Sequence, residues 1–134
     1  MPNSRNTVLV IDDDPTVRDV LQQVILSAGF EVLTAASPAR GLGIVHHADG
    51  NNLRAVVLDY YMPGLNGADT LKHLRTLRPN LKIIGLTGVA ASALPESFRR
   101  GVDQFLTKPF SNQHLLFCLH SLLGLTPSPA VVRS

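Results

Sequence analysis

The chain has no tryptophan, a single cysteine (Cys118) and only 5% aromatic residues. One thiol cannot close an internal disulfide. A cross-linked secreted scaffold is therefore excluded, and a reducing, cytoplasmic setting is expected. Charge of one sign is scarce as well. Twelve Lys and Arg stand against ten Asp and Glu, for a formal net charge of +2. So small and scattered an excess leaves no electrostatic footprint for nucleic acid, and the adjacent pair Arg99-Arg100 is explained by a solvated helix end. No apolar run approaches the roughly 20 residues of a membrane-spanning helix. The short run Val8–Ile11 meets three aspartates at once, which is not the pattern of a secretory signal segment. Internal repeats and low-complexity tracts are also missing.

What the chain does have is a core. With 134 residues, 45% of them hydrophobic, it suits one domain with a real interior and would be cramped as two. Residues 1–6 read as an N-terminal extension and 7–124 as the domain. Residues 125–134, rich in Pro and Ser, read as a flexible tail or linker stub.

Two periodicities alternate along that domain. Thr7–Ile11 is short, β-branched and apolar on both faces, the pattern of a buried parallel strand. Asp14-Pro15 reads as a helix cap followed by a proline at the first helical position. Val17, Val20, Leu21, Val24, Ile25 and Ala28 then recur at helical spacing up to Gly29. Glu31–Ala35 is a second strand, and Ser37-Pro38 repeats the cap signal before a helix to His47 that Gly41 and Gly43 weaken. Asp49-Gly50-Asn51-Asn52 is a turn cluster. A third strand, Ala55–Asp59, precedes the loop Met62–Gly67 and a helix striped by Ala68, Leu71, Leu74 and Leu77. Lys82–Thr87 is strand four. Ser92 is expected to cap a short helix, about Ala93–Arg100, with Pro95 in its first turn. Gln104–Thr107 is strand five, and Ser111 caps a last helix ended by Gly124. Five strand-helix units of this kind predict an α/β domain, a parallel sheet with helices on both faces.

In such sheets ligands bind beyond the carboxyl ends of the strands, and the polar residues gather there. Asp12 and Asp13 follow strand one, Asp59 ends strand three, Thr87 ends strand four and Lys108 follows strand five. Three carboxylates brought together repel one another, and a hard divalent cation is the natural compensation. Magnesium suits one or two carboxylates plus water and phosphate oxygens. Zinc would want His or Cys, which the rim lacks, and calcium a spaced acidic loop that is absent. The Lys108 ammonium and the Thr87 hydroxyl then suit phosphoryl oxygens, and an aspartate oxygen is a known covalent acceptor type. Each residue alone has a plainer explanation. The triplet Asp12–Asp14 serves as a turn with a helix cap, and Asp14 is assigned mainly to capping. Asp59 serves as a turn former, Lys108-Pro109 as surface, and Thr87 as a strand residue. Only their joint placement on one rim favours a metal-assisted phosphate site, and the plainer readings stay open at this level.

The strings VLVIDDDPTVR, VVLDYYMPGLNG, IIGLTG and FLTKPF, in this order, resemble the receiver domain of bacterial two-component response regulators. The resemblance runs from Thr7 to Leu123. It implies a flavodoxin-like, doubly wound five-stranded parallel sheet in the order 2-1-3-4-5. It implies that Asp59 is the phosphoacceptor, that Asp13 binds Mg2+ directly and Asp12 largely through water, and that the Tyr61 backbone carbonyl is a further ligand. Thr87 and Lys108 would contact the phosphoryl group, Thr87 and Phe105 would form the switch pair, and the Lys108-Pro109 bond would be cis. The implied partner is a sensor histidine kinase or histidine phosphotransfer protein, and the readout face is helix four, strand five and helix five. Such a domain catalyses its own phosphorylation and dephosphorylation and is not a turnover enzyme on an outside substrate.

The chain departs from the usual pattern in five places, one being Gly41 and Gly43, which soften helix two. Helix four is short and carries Pro95, and Gly88 follows Thr87. Tyr61 is bulky where the family side chain borders the acceptor, so it would shield the acyl phosphate. Ser111, Asn112, Gln113 and His114 stand where a charged dimer face often has Arg-Glu. His46, His47, His73, His114 and His120 read as surface or boundary residues. The alternatives are a pseudo-receiver that only binds proteins, a phosphoaspartyl hydrolase, which would need an acid at Tyr61, and a flavin or nucleotide carrier, whose phosphate loop is absent.

Overall fold

The five β-branched stretches are all strands in the computed structural model of the chain, which describes residues 6–47 and 52–124. The expected extension before Asn6, the turn residues Asp49, Gly50 and Asn51, and the tail from Leu125 lie outside the described residues. The strands are β1 (Thr7–Ile11), β2 (Glu31–Ala35), β3 (Leu53–Asp59), β4 (Lys82–Thr87) and β5 (Gln104–Thr107). They pair in parallel in the order β2-β1-β3-β4-β5. Between them run α1 (Pro15–Ser27), α2 (Pro38–His47), α3 (Gly67–Leu77), α4 (Glu96–Gly101) and, after β5, α5 (Asn112–Leu123).

Side chains alternate across a strand, so a strand that is apolar at every position must be covered on both faces. Leu9, Ile11, Val56, Leu58 and Ile83 point to one side and pack with Val45 of α2, Leu71 and Leu74 of α3, and Phe98 of α4. Val8, Val10, Val57, Ile84 and Leu86 point to the other, against Leu21 and Ile25 of α1 and Leu115 and Leu119 of α5. The doubly wound arrangement follows directly from these two faces.

Local chemistry sets most element ends. The Asp14 side chain accepts from the Thr16 N–H, with Pro15 at the first helical position. Ser111 accepts from the His114 N–H, and Gly124 stops α5 in the left-handed conformation at φ 70°. Three boundaries differ from the sequence expectation. The loop expected through Gly67 ends one residue sooner, because Asn66 caps α3 by accepting from the Asp69 N–H at 2.9 Å. The helix expected over Ala93–Arg100 with a Ser92 cap forms, but it starts three residues later and without that cap. Ala91–Ala93 is a single 3-10 turn with Ser92 inside it, Pro95 is the N-cap without a side-chain bond, and α4 has only six residues. Pro95 disfavours helical backbone in the residue before it, and Leu94 is accordingly extended at φ −94°, ψ 157°. β3 also starts two residues earlier than expected, at Leu53, which is buried and pairs with Thr7.

Two glycines have packing reasons that helix and strand propensities do not reveal. A Cβ on Gly41 in α2 would stand 2.4 Å from Ile11 Cδ1, so α2 reaches the sheet only without it. A Cβ on Gly85 in β4 would stand 3.0 Å from the Phe98 ring. Phe98 is fully buried there, its ring centroid 4.9 Å from Tyr60 and 6.0 Å from Phe105. This ring holds α4, a helix too short to be stable alone, against the sheet. Phe98→Ala should lower the unfolding free energy by about 3–5 kcal/mol in urea titration, the range for removing a fully packed aromatic side chain.

Candidate functional site

The carboxyl ends of β1 and β3 bring the acids together. One carboxylate oxygen from each of Asp12, Asp13 and Asp59 lies within 4.8 Å of the others. Asp12 is fully buried and Asp59 is 4% exposed, while Asp13 faces solvent. A turn-and-cap reading suffices for Asp14, which caps α1, but not for Asp12. Asp12 is held on three sides: its N–H donates to Ala35 O at 3.1 Å, its Oδ1 accepts from Asp14 N at 2.9 Å, and its backbone oxygen accepts from Arg18 Nη1 at 2.8 Å. Arg18 lies in the string VLVIDDDPTVR yet has no assigned role in the sequence reading. Only the fold shows α1 turning it back onto β1's end.

Lys108 reaches the cluster from the loop after β5. Its Nζ stands 3.4 Å from Asp12 Oδ2 and 3.5 Å from Asp59 Oδ2. Its backbone N–H donates to Thr87 O at 2.7 Å, and its bond to Pro109 is cis, as the resemblance implies. Thr87 is buried at the same rim, but its hydroxyl is engaged locally: it accepts from Val89 N at 3.0 Å and donates to Val89 O at 3.1 Å. Phe105 is half-buried and its ring meets Phe98, one layer away from the acids. Tyr61 is 60% exposed, its ring edge-on to Tyr60 at 4.7 Å. The structure thus gathers Asp12, Asp13, Asp59 and Lys108 in one cluster. Thr87 sits beside it, Phe105 lies in the packing behind it, and the Tyr61 ring is at the surface. His46, His47, His73 and His114 are exposed and His120 is half-buried.

One ammonium facing three carboxylates is an incomplete balance. Burial pushes the Asp59 carboxyl up from its ordinary 3.8 to about 7, helped by the neighbouring Asp12 charge and opposed by Lys108. Asp12 Oδ2 is buried and has no hydrogen-bond partner; Lys108 is in ionic range without hydrogen-bond geometry. A buried carboxylate oxygen left this way has room for a further cation. An all-oxygen donor set of two buried acids and one exposed acid suits a hard divalent ion that keeps water.

A buried acid whose folded pKa lies above its unfolded value binds its proton more tightly when folded. It therefore destabilises the fold as pH rises from about 4 through 7. The move from 3.8 to about 7 bounds this penalty at ~4 kcal/mol, at about 1.4 kcal/mol per tenfold change in proton affinity. In chelator-treated protein, Asp59→Asn should raise the denaturation midpoint at pH 8 and lose that advantage by pH 4. An equal gain at both pH values would show that charge burial is not the cause.

The family description "Response regulator receiver domain" matches residues 8–120. The chain is 36% identical over 109 residues to the uncharacterized transcriptional regulatory protein YrkP of Bacillus subtilis, covering 81% of this chain and 45% of that protein. It is 30% identical over 116 residues to the chemotaxis protein CheY of Thermotoga maritima, covering 86% of this chain and 95% of that one. A putative response regulator from Chloroflexus aurantiacus superposes with a TM-score of 0.80 at 32% identity, over 90% of this chain and 98% of that one. The chain spans about half the length of the curated transcriptional regulators it matches. A family match over most of the chain, a relative aligned along nearly its whole length and a β2-β1-β3-β4-β5 sheet together make this chain a member of the response regulator receiver domain family.

Proposed function

We propose that the receiver unit, residues 7–124, is a phosphorylation switch and that Asp59 is its acceptor. The observation that carries this reading is the pairing of a buried Asp59 with Lys108 on one side and, beside it, the buried Asp12 oxygen that accepts no hydrogen bond. A phosphohistidine on a sensor histidine kinase or a phosphotransfer protein supplies the group. An Asp59 oxygen forms the new P–O bond as the donor's P–N bond breaks, and the electron pair stays on the leaving imidazole nitrogen. Such transfer needs mainly positioning and neutralisation of the equatorial oxygens. Lys108 neutralises one oxygen, and the Thr87 hydroxyl leaves Val89 to donate to another. Asp12, Asp13, Asp59 and the Tyr61 carbonyl would hold Mg2+, which supplies the remaining positive charge when bound. Acidic groups that repel an incoming phosphate become its binding site only through that charge.

The gain of acceptor oxygens and charge at Asp59 is the event that the rest of the domain reads. With Thr87 turned and Phe105 repositioned, the output surface is the α4, β5 and α5 face. Among the described residues no helix is long and apolar enough to cross a membrane, and we place the switch in the cytoplasm, where its phosphodonors act.

Intact-mass measurement after incubation with acetyl phosphate and magnesium should show the gain of one phosphoryl group. The adduct should vanish with chelator and in Asp59→Asn. No adduct from acetyl phosphate or from phosphohistidine proteins would instead assign the chain to the pseudo-receivers. Lys108→Met should slow adduct formation by roughly 10²–10³-fold, the loss expected when one preorganised charge-stabilising donor is removed. An unchanged rate in that variant would remove Lys108 from the proposed site.

A further inference from the structure

Arg75, in the last turn of α3, directs its guanidinium at the segments around the C-terminal end of α4. Its Nε and Nη2 donate to Gly101 O at 3.2 and 2.7 Å, and Nη2 also meets Asp103 Oδ2 at 3.0 Å. Nη1 donates to Pro79 O at 3.2 Å and to Leu81 O. The same Asp103 oxygen accepts from Ile83 N at 2.8 Å, and the Asp103 N–H donates to Ile83 O at 2.8 Å. One planar cation with five fixed donors therefore joins the exit of α3, the start of β4 and the link from α4 to β5. The backbone of Gly101 also lies tight against α3, where a Cβ would stand 2.3 Å from Leu71 Cδ2.

The opposite end of α4 is built differently. Pro95 caps it without a side-chain bond, and the turn before it is closed by Ala93 N to Ala90 O and Leu94 N to Ala91 O, with Arg99 Nε of α4 itself donating to Leu94 O at 3.3 Å. Among the described residues no hydrogen bond of that turn reaches α3 or β4 as those of Arg75 do at the other end. The Leu94 side chain is buried, and upstream the Thr87 hydroxyl grips both polar groups of Val89. That hydroxyl is the only side chain of the rim bonded to the segment 88–95 among the described residues. If it turns to a phosphoryl oxygen, the segment loses that tether while the Arg75 contacts are untouched.

We propose that α4 is a lever hinged at its C-terminal end, with the Arg75–Gly101–Asp103 clamp as pivot and the 88–95 segment as the end that moves. This rests on the phosphoacceptor reading of Asp59. Phe98 lies between pivot and moving end, with its ring against Tyr60 and Phe105. Displacement of α4 grows with distance from Gly101, so the ring shifts against Phe105 while the joint with β5 stays in place. Arg75 is a positioning residue for the signalling surface and touches no reacting atom.

Residue-resolved amide exchange on the whole chain tests the hinge. In the unphosphorylated protein, the Val102 and Asp103 amides should exchange at least about tenfold more slowly than those of Ala93 and Leu94. In Arg75→Lys, which keeps the charge but cannot bind three segments at once, that gradient should disappear. The central-strand amides of Leu9 and Ile84 should stay protected, which separates loss of the pivot from loss of the fold. Asp103→Asn, which retains an acceptor for Ile83 N, should show a partial loss. After acetyl phosphate treatment, with the adduct verified by mass, changes between Gly88 and Asp103 should fall in 88–98 and spare Val102 and Asp103. Equal exchange at both ends of α4, or adduct-induced changes as large at Val102 and Asp103 as at 88–95, would overturn the proposal. Failure to form an adduct overturns the Asp59 reading, while the gradient in the free protein and its fate in Arg75→Lys still decide whether the pivot exists.

Discussion

Three carboxylates share one rim with a single ammonium, and the local architecture is arranged around that imbalance. Asp12 and Asp59 are held in near-complete burial at the ends of the central strands β1 and β3, which are buried on both faces. Burial raises the free energy of their charges, and Lys108, reaching in from beyond β5, offsets only part of that. The result is a site in a state of electrostatic tension, which a proton on Asp59 or a further cation would relieve.

A second constraint lies in the packing behind the acids. Tyr60, the residue after Asp59, contacts Phe98 of α4, and Phe98 contacts Phe105 of β5. The ring fits because Gly85 leaves a notch in β4. A six-residue helix that begins at a proline has little intrinsic stability, so its position is set by this ring and by the Arg75 clamp. The site and the face expected to report on it thus share one aromatic layer. Close-packed interiors pass small displacements on through such contacts and do not absorb them.

Much of this was legible in the residues. The strand cores, the caps at Asp14 and Ser111, the stop at Gly124 and the rim placement of Asp12, Asp13, Asp59, Thr87 and Lys108 follow from local periodicity and turn chemistry. The start of α4 was not, because Pro95 can sit in a first turn or act as a cap, and the choice depends on where Leu94 is buried. Gly41 looks like a helix weakener until Ile11 is seen against it. Arg18 and Arg75 look like solvated helix residues until their carbonyl partners are brought near by the fold.

By itself the sequence determined the alternation of strands and helices, the caps at Asp14 and Ser111, and the family, because these rest on neighbours within a few residues or on ordered short motifs. Only the tertiary structure decided that Asp12 is buried with an oxygen that accepts no hydrogen bond, that the Thr87 hydroxyl is held by Val89, that Phe98 fills the notch at Gly85, and that Arg75 clamps the end of α4. Most of these depend on segments far apart in the chain, and the Thr87–Val89 pair on the path the chain takes out of β4. Periodicity carries no information about which distant groups meet.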